Sequence, residues 1–397
     1  VNSITYSAPS GVVSTPNVSF EYDAVGNRAS MADGLGSASY GYNQLSQMTS
    51  ETRTFTGLGS YSLNYAYNLA GQVTSITDPF GAQVGYGYDQ TGKLEDVSGS
   101  GFPDVTAFAT NMKYRAFGAL KAMSYGNGRT LAVGYNARLQ PSSFAVPGVI
   151  EKKYQYHDDG ALKYSQDLLD ARFDRRNEFD HAGRIVTALS GTEARGEPAT
   201  NDRPYNQTYQ FDAWNQITNT TSQHWSAGYS DAATYVNRRR TGWTYDAEGN
   251  LLDDNSSDTQ RRAYDAAGRL VTITDNTLSV RRTDTADGDG RRVRSGYRIS
   301  ALYPVTNTYY LRSSMLGGEV VAEIGANGQK IKGYVRTQEG GLMAQQSFAN
   351  FGSEYILWMH EDPASQSVRA TASNGGFENN PSLAYNAELD PVRADAE

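Results

Sequence analysis

Four histidines, His157, His181, His224 and His360, are the first candidates for metal binding or proton transfer. None falls in the short paired spacing that zinc sites use. His360-Glu361-Asp362 is the most polar cluster, and a general acid/base role would need imidazole and carboxylate to converge on a substrate. The competing expectation, and the favoured one, is a strand end whose carboxylates cap a turn before Pro363. Asp287-Gly288-Asp289-Gly290 has the opening of a calcium loop but lacks the further acidic ligands and closing Glu, so a plain turn is expected. No Gly-x-Ser-x-Gly elbow, phosphate-cradling Gly loop or His-Glu-x-x-His pair is present. With zero Cys, disulfides and thiolate chemistry are excluded. The sequence therefore assigns no catalytic, cofactor-binding or metal residues, and the expectation is a protein that is not an enzyme.

Arg238-Arg239-Arg240, Arg261-Arg262, Arg281-Arg282 and Arg291-Arg292 could suggest a nucleic-acid surface. The formal net charge is −8 and the pI near 5.2, which repels phosphate backbones. These arginines are better read as edge charges that block sheet-to-sheet aggregation. No apolar stretch is long enough to span a bilayer as a helix. Val1-Asn2-Ser3-Ile4-Thr5 lacks the basic and apolar regions of a signal peptide and reads as the middle of a longer chain. Asn17-Val18-Ser19, Asn206-Gln207-Thr208, Asn219-Thr220-Thr221 and Asn255-Ser256-Ser257 match the glycosylation pattern, as chance alone would give in so Asn- and Ser-rich a chain.

The elements that must position these residues are strands. Only 38% of the residues are hydrophobic, yet there are 28 Tyr and 40 Gly. Tyr suits a strand with one packed and one wet face, and Gly suits tight turns. Outward-facing tyrosines could stack on sugars, although packing within the wall is the favoured role.

A repeat organises the chain. Tyr22-Asp23-Ala24-Val25-Gly26-Asn27, Tyr88-Asp89-Gln90-Thr91-Gly92-Lys93, Tyr245-Asp246-Ala247-Glu248-Gly249-Asn250 and Tyr264-Asp265-Ala266-Ala267-Gly268-Arg269 share aromatic, Asp or Asn, two variable residues, Gly and a polar residue. Looser copies begin at Tyr42, Tyr67, Tyr114, Tyr135, Tyr156, Phe179 and Phe211, and His157 and His181 lie in or just after the Asp slot. The aromatic ends an alternating strand, Asp or Asn bonds the turn it starts, and Gly takes the positive-φ position. One repeat is thus two strands and two turns, and neighbouring hairpins must stack to bury their aromatic faces. So long a twisted sheet is expected to curl. Extra residues at 191–204 and 222–240 are expected to be longer surface loops, the places for partner contact. After Val293 the strict repeat fades, and Asn327-Gly328 is the strongest hairpin signal in the chain.

These copies resemble the YD repeats of bacterial RHS proteins, relatives of teneurins and of the cocoon-forming components of insecticidal toxin complexes. Residues 309–391, with Tyr310-Leu311-Arg312, Leu316-Gly317-Gly318-Glu319, His360-Glu361-Asp362-Pro363, Arg369 and Glu388-Leu389-Asp390-Pro391, resemble the RHS-associated core. The resemblance implies an all-β fold, a long spiral of antiparallel β-hairpins curling into an open or partial barrel-like shell. It implies a repeat section over residues 1–303 and a core-like, apparently truncated section over 304–397. It further implies a structural shell segment of an exported protein, extracellular or at the bacterial cell surface, that encapsulates a C-terminal toxin or other cargo polypeptide. The alternative is a surface adhesin or fibre subunit that binds glycans or self-associates. No cofactor, nucleic-acid partner or membrane span is expected.

Overall fold

Each aromatic–Asp motif closes the same turn. At Asp89 the backbone N–H donates to Lys93 O (2.8 Å), and Gly92 N–H returns to Asp89 O (2.9 Å). Asp89 Oδ1 then accepts from the N–H groups of Thr91 (2.8 Å) and Lys93 (3.0 Å). One carboxylate oxygen thereby satisfies two donors that the turn strips from the ladder. The same set of bonds recurs at Asp23, Asn43, Asn68, Asp78, Asn136, Asp180, Asp212, Asp265 and Asp287. The fourth position lies in the left-handed region, with φ of 79° at Gly92. Ser46, Leu139 and Asn215 hold it at φ of 57°, 65° and 65°, so the turn tolerates the strain of a side chain there. A ladder irregularity at the aromatic, as between Gly87 and Tyr88, absorbs the odd residue.

The computed structural model describes residues 1–9, 11–200, 204–225, 227–255, 260–275, 281–298, 300, 302–348, 354–362, 364 and 368–378. Pro363 and the Glu388-Leu389-Asp390-Pro391 element lie outside the described residues. Within each sheet successive hairpins pair, giving among the described residues antiparallel sheets of 20 and 13 strands and a two-stranded ribbon, none of them closed. The fold is all-β, as the repeat requires. No helix among the described residues is long and apolar enough to cross a membrane.

The stretches expected as loops contain regular structure. Gly191–Ala194 is a single helical turn after the strand Ile185–Ser190. Much of 222–240 is strand: Ile217–His224 pairs with Ala227–Ala232, and Tyr235–Val236 with Arg239–Arg240. Where the sequence motif fades, the turn persists. Gly325–Gln329, Thr337–Gly341 and Ala372–Gly376 make the same two backbone bonds with Gly, Thr and Ala in the Asp slot. The left-handed glycines Gly328, Gly340 and Gly375 keep the fourth position. Gly325 and Ala372 cannot make the side-chain bonds, and Asn327 Oδ1 and Asn374 Oδ1 accept instead from the closing N–H groups of Gln329 (3.1 Å) and Gly376 (2.7 Å).

The chain divides into two compact units, residues 1–108 with 242–357, and 109–241 with 358–397. Alternation builds each core. In the first unit the strand Gly59–Tyr67 buries Tyr61, Leu63 and Tyr65, and turns Ser62, Asn64 and Ala66 away from that core. Phe55, Val97, Leu311 and Ile324 are also fully buried there. The second unit is built on Leu131, Phe144, Val146, Ile150 and Trp358. Strands Arg175–Phe179 and Asn206–Phe211 bury no side chain completely and carry polar residues on both faces.

Candidate functional site

The tyrosines of the repeat have a task that their ring alone does not explain. Tyr42 donates its hydroxyl to Arg28 O (3.0 Å), Tyr67 to Met48 O (2.6 Å) and Tyr88 to Val73 O (2.6 Å). Tyr135 donates to Leu120 O (2.7 Å), Tyr156 to Pro141 O (2.7 Å) and Tyr264 to Leu251 O (3.0 Å). The acceptor is in each case the first residue of the return strand of the hairpin before. The hydroxyl therefore closes the ladder at the end where the turn leaves it open. Burial raises the Tyr88 hydroxyl to about 12 and also pushes Tyr42, Tyr67, Tyr135, Tyr156 and Tyr264 up. All remain protonated donors at neutral pH.

A second link comes from the polar residue after the left-handed fourth position of the turn. Gln72 Nε2 donates to Gly92 O (2.7 Å), Gln140 Nε2 to Gly160 O (3.2 Å), and Arg291 to Gly317 O (2.9 Å). Successive turns are tied together along the sheet end. The signal for both links was present in the sequence, as the recurrence of Tyr over Phe and of long amides or Arg at that slot.

In the second unit, His360 on the strand Glu354–Glu361 and Asp362 just past its end are both fully buried. Asn127 Nδ2 donates to Thr371 Oγ1 (2.7 Å), which lies 2.8 Å from His360 Nε2. The Tyr125 ring meets the imidazole edge-on at 4.4 Å. His360 Nδ1 is buried with no hydrogen-bond partner. Burial, helped by Arg129, pushes His360 down to about 4, so it is neutral at pH 7. Asp362 accepts from Tyr154 Oη (2.5 Å) and from Ala364 N–H (3.1 Å). Lys152, also buried, is lowered to about 8 by burial first and by Arg175 second, against the pull of Asp362. Glu361 points out. The carboxylate does cap a turn, as expected, but His360 is a core residue. Its ring packs under Tyr125 and Thr371, without solvent exposure.

The first unit has its own buried polar centre. Glu51 accepts from the Tyr65 hydroxyl and from Ser314 N–H (2.8 Å), while Tyr65 Oη lies 2.7 Å from Ser313 Oγ. Burial raises the Glu51 carboxyl above the usual range. Two residues on, Arg53 clamps Asp33 with two bonds of 2.6 and 2.8 Å. Neither was singled out from sequence. The signal was the period of two that sets Glu51 and Arg53 on the same face as Phe55.

The remaining candidates fall in turns. Asp287 Oδ1 is engaged by Asp289 and Arg291 N–H groups, and Asp289 pairs with Arg28 at 2.7 Å, so Asp287-Gly288-Asp289-Gly290 folds as a repeat turn. His157 occupies the Asp slot and lies 3.3 Å from Asn177 O, with its ring edge-on to Phe179. His181 is exposed beside Asp180, and His224 ends its strand. The four histidines are not brought together, and no group of three or more metal-ligating side chains occurs among the described residues. Several arginine pairs meet carboxylates, as Arg262 with Asp254 (3.4 Å) and Arg282 with Asp284 (3.1 Å).

The RHS Repeat family matches residues 67–101, the stretch from Tyr67 through the Asp89 turn. No curated protein matches the chain. Among solved structures, the toxin-complex assembly TcdB2–TccC3 superposes with a TM-score of 0.73 at 13% identity, over 91% of this chain and 21% of that chain. Its complex TcdB2–TccC3–Cdc42 gives 0.67 at 13% identity, with the same coverage. The Tc holotoxin pore of Photorhabdus luminescens gives 0.65 at 12% identity, over 94% of this chain and 24% of that chain. The present chain thus spans about a fifth to a quarter of the length of the chains it matches. At such identities the likeness is one of fold.

Proposed function

The chain is a YD-repeat, or RHS-repeat, protein, and from that premise we propose that it serves as a structural segment of a β-shell that encloses a C-terminal toxin or other cargo polypeptide in an exported bacterial assembly. The observation that carries the reading is the repeated turn-and-tyrosine stitch, which continues a sheet hairpin by hairpin. A wall of this kind excludes bulk solvent and proteases by continuity of hydrogen bonding, without sequence-specific chemistry. Its most polar groups, His360, Asp362 and Glu51, are buried inside the wall and hold it together. The proposal accordingly assigns the chain no catalytic role. The shell fold shared with toxin-complex structures supports the assignment.

A surface adhesin is the second reading. It is favoured by the exposed Trp214, which carries Arg238 over its ring at 5.5 Å, and by the exposed Tyr229. Aromatic faces of this kind stack on sugars. Protease protection separates the two. In the full-length parent protein the polypeptide C-terminal to the repeats is expected to survive digestion that removes an exposed tag, and to become sensitive once the wall is denatured. Cleavage of that polypeptide in the intact protein, as fast as the tag, would overturn the shell reading.

A further inference from the structure

The 20-stranded sheet ends inside the chain, at Ala227–Ala232. One side of that strand is paired with Ile217–His224, in register from Asn219↔Ala232 to His224↔Ala227. The ladder runs on through Ala233 N–H to Thr218 O (2.9 Å) and Tyr235 Oη to Ile217 O (2.7 Å), the repeat's usual stitch. Beyond Tyr235 the chain departs from the repeat. It reverses at Asn237 and Arg238, both left-handed with φ of 51° and 63°, as a two-residue hairpin requires. It returns only as Arg239–Arg240 opposite Val236 and Tyr235, with a last bond from Thr241 N–H to Thr234 O (2.8 Å). The return strand is cut short, and among the described residues no strand pairs with the far side of Ala227–Ala232.

The geometry of that side is defined. In an antiparallel ladder, pairs that exchange both bonds alternate with pairs that exchange none. Because Ala233 bonds Thr218, the alternation directs the N–H and C=O of Gly228, Ser230 and Ala232 away from the sheet. Ala227, Gly228, Tyr229 and Ser230 are exposed, Tyr229 by 59%. No Pro, Lys or ladder irregularity blunts this edge, the usual protections of an open strand.

We propose that this edge is an interface between two copies of the chain, which pair antiparallel through Ala227–Ala232 about a two-fold axis at Ser230. The strand is complementary to itself in that register. Gly228 falls opposite Ala232 of the second copy, and Tyr229 opposite Asp231. The outward-bonding residues are Gly, Ser and Ala, small enough for close approach, and the pairing adds about six main-chain hydrogen bonds. The one charge on the strand, Asp231, is already held by Arg240, so the seam is neutral although the chain carries −8. An isologous contact closes on itself and does not propagate into a fibre. So short a seam buries little area and gives a dimer that forms only with rising concentration. The inference stands independently of the shell reading.

The chain contains no Cys, which makes the test direct. On the axis, two copies of Ser230 bring their Cα atoms to about 5.5 Å, within disulfide reach. Purified full chain carrying Ser230→Cys is expected to form, on mild oxidation, a covalent species of twice 43.3 kDa. Ala182→Cys, on an exposed turn of the repeat, is expected to remain monomeric. Ser230→Pro removes an outward N–H without touching the existing ladder, and is expected to weaken self-association by at least about tenfold in sedimentation equilibrium. A wild-type chain that stays monomeric at its highest soluble concentration would overturn the proposal. So would a dimer that persists in Ser230→Pro while Ser230→Cys fails to cross-link. Should Ser230→Pro misfold, the near-isosteric Cys variant alone decides.

Discussion

Tyr→Phe replacement at Tyr42, Tyr67, Tyr88 and Tyr264 together is expected to lower the unfolding free energy of the first unit by roughly 4 kcal/mol, about 1 kcal/mol for each lost hydroxyl bond. Each change keeps the ring and removes one donor from a backbone carbonyl of the preceding hairpin. The carbonyls of Arg28, Met48 and Leu251 belong to half-buried residues, and that of buried Val73 keeps a second donor in Gln338 Nε2 (2.8 Å), which places the cost near the middle of the usual range. The first three sites lie in successive hairpins and share no partner, so their effects should add, as in other repeat architectures. Tyr297→Phe, at a half-exposed ring on the strand Arg292–Arg298, serves as control and should change little. Chemical denaturation read by tryptophan-independent far-UV dichroism checks the series. A quadruple variant as stable as the wild type would show that packing of the rings, and not the stitch, holds neighbouring hairpins together. Phe179 and Phe211 already lack the hydroxyl, and they head the part of the chain where the repeat spacing loosens to 32 and 34 residues (179 to 211 and 211 to 245).

Acid should loosen the second unit through His360. Its imidazole is held near pKa 4 in the fold against about 6.5 in the unfolded chain. Above pH 6.5 neither state binds the proton and the contribution is whole. As pH falls from 6.5 towards 4 the unfolded chain is protonated first, so stability falls, by about 3 kcal/mol in all, and the loss levels off below 4. His360→Gln keeps a group able to bond Thr371 without titrating. The variant is expected to lose about 3 kcal/mol less than the wild type between pH 7 and pH 4. Parallel curves for the two proteins would mean that the ring reaches solvent or gains a partner for Nδ1. The turn aspartates Asp23, Asp89 and Asp180, whose pKa values are lowered chiefly by side-chain hydrogen bonds, also weaken the fold on acidification. The comparison with the Gln variant cancels them.

How far the sequence reaches is visible at particular residues. The Asp or Asn slot and the positive-φ Gly were legible because a turn imposes its chemistry locally, on five consecutive residues. The turn at Gly325 was legible from Asn327-Gly328, whose Asn327 Oδ1 accepts from Gln329 N–H (3.1 Å) in place of an Asp-slot side chain; the turn at Ala372 was not, because its accepting side chain has moved to Asn374, which takes Gly376 N–H (2.7 Å). Ser46, Leu139 and Asn215 show that even the Gly position can be filled otherwise. The Tyr hydroxyl bonds left only a trace in the sequence, the recurrence of Tyr over Phe, because donor and acceptor lie in different hairpins, thirteen to nineteen residues apart, as for Tyr264 with Leu251 and Tyr67 with Met48. His360 illustrates the limit for the candidate site. A His-x-Asp pair near a Pro suggested a polar strand end, whereas burial under Tyr125 depends on contacts more than two hundred residues distant in sequence. The residues 222–240, rich in polar and turn-forming types, read as a loop. They fold as strand because the hairpin of the repeat continues through them and then breaks off at Thr241.

The central claim is that a stitched hairpin wall encloses cargo, and imaging of the native full-length material by cryo-electron microscopy, with mass spectrometry of the intact chain, tests it most directly. The account predicts closed particles that hold additional C-terminal polypeptide inside a continuous β-wall. Open filaments or stacks with nothing inside would contradict it and favour the surface-fibre reading.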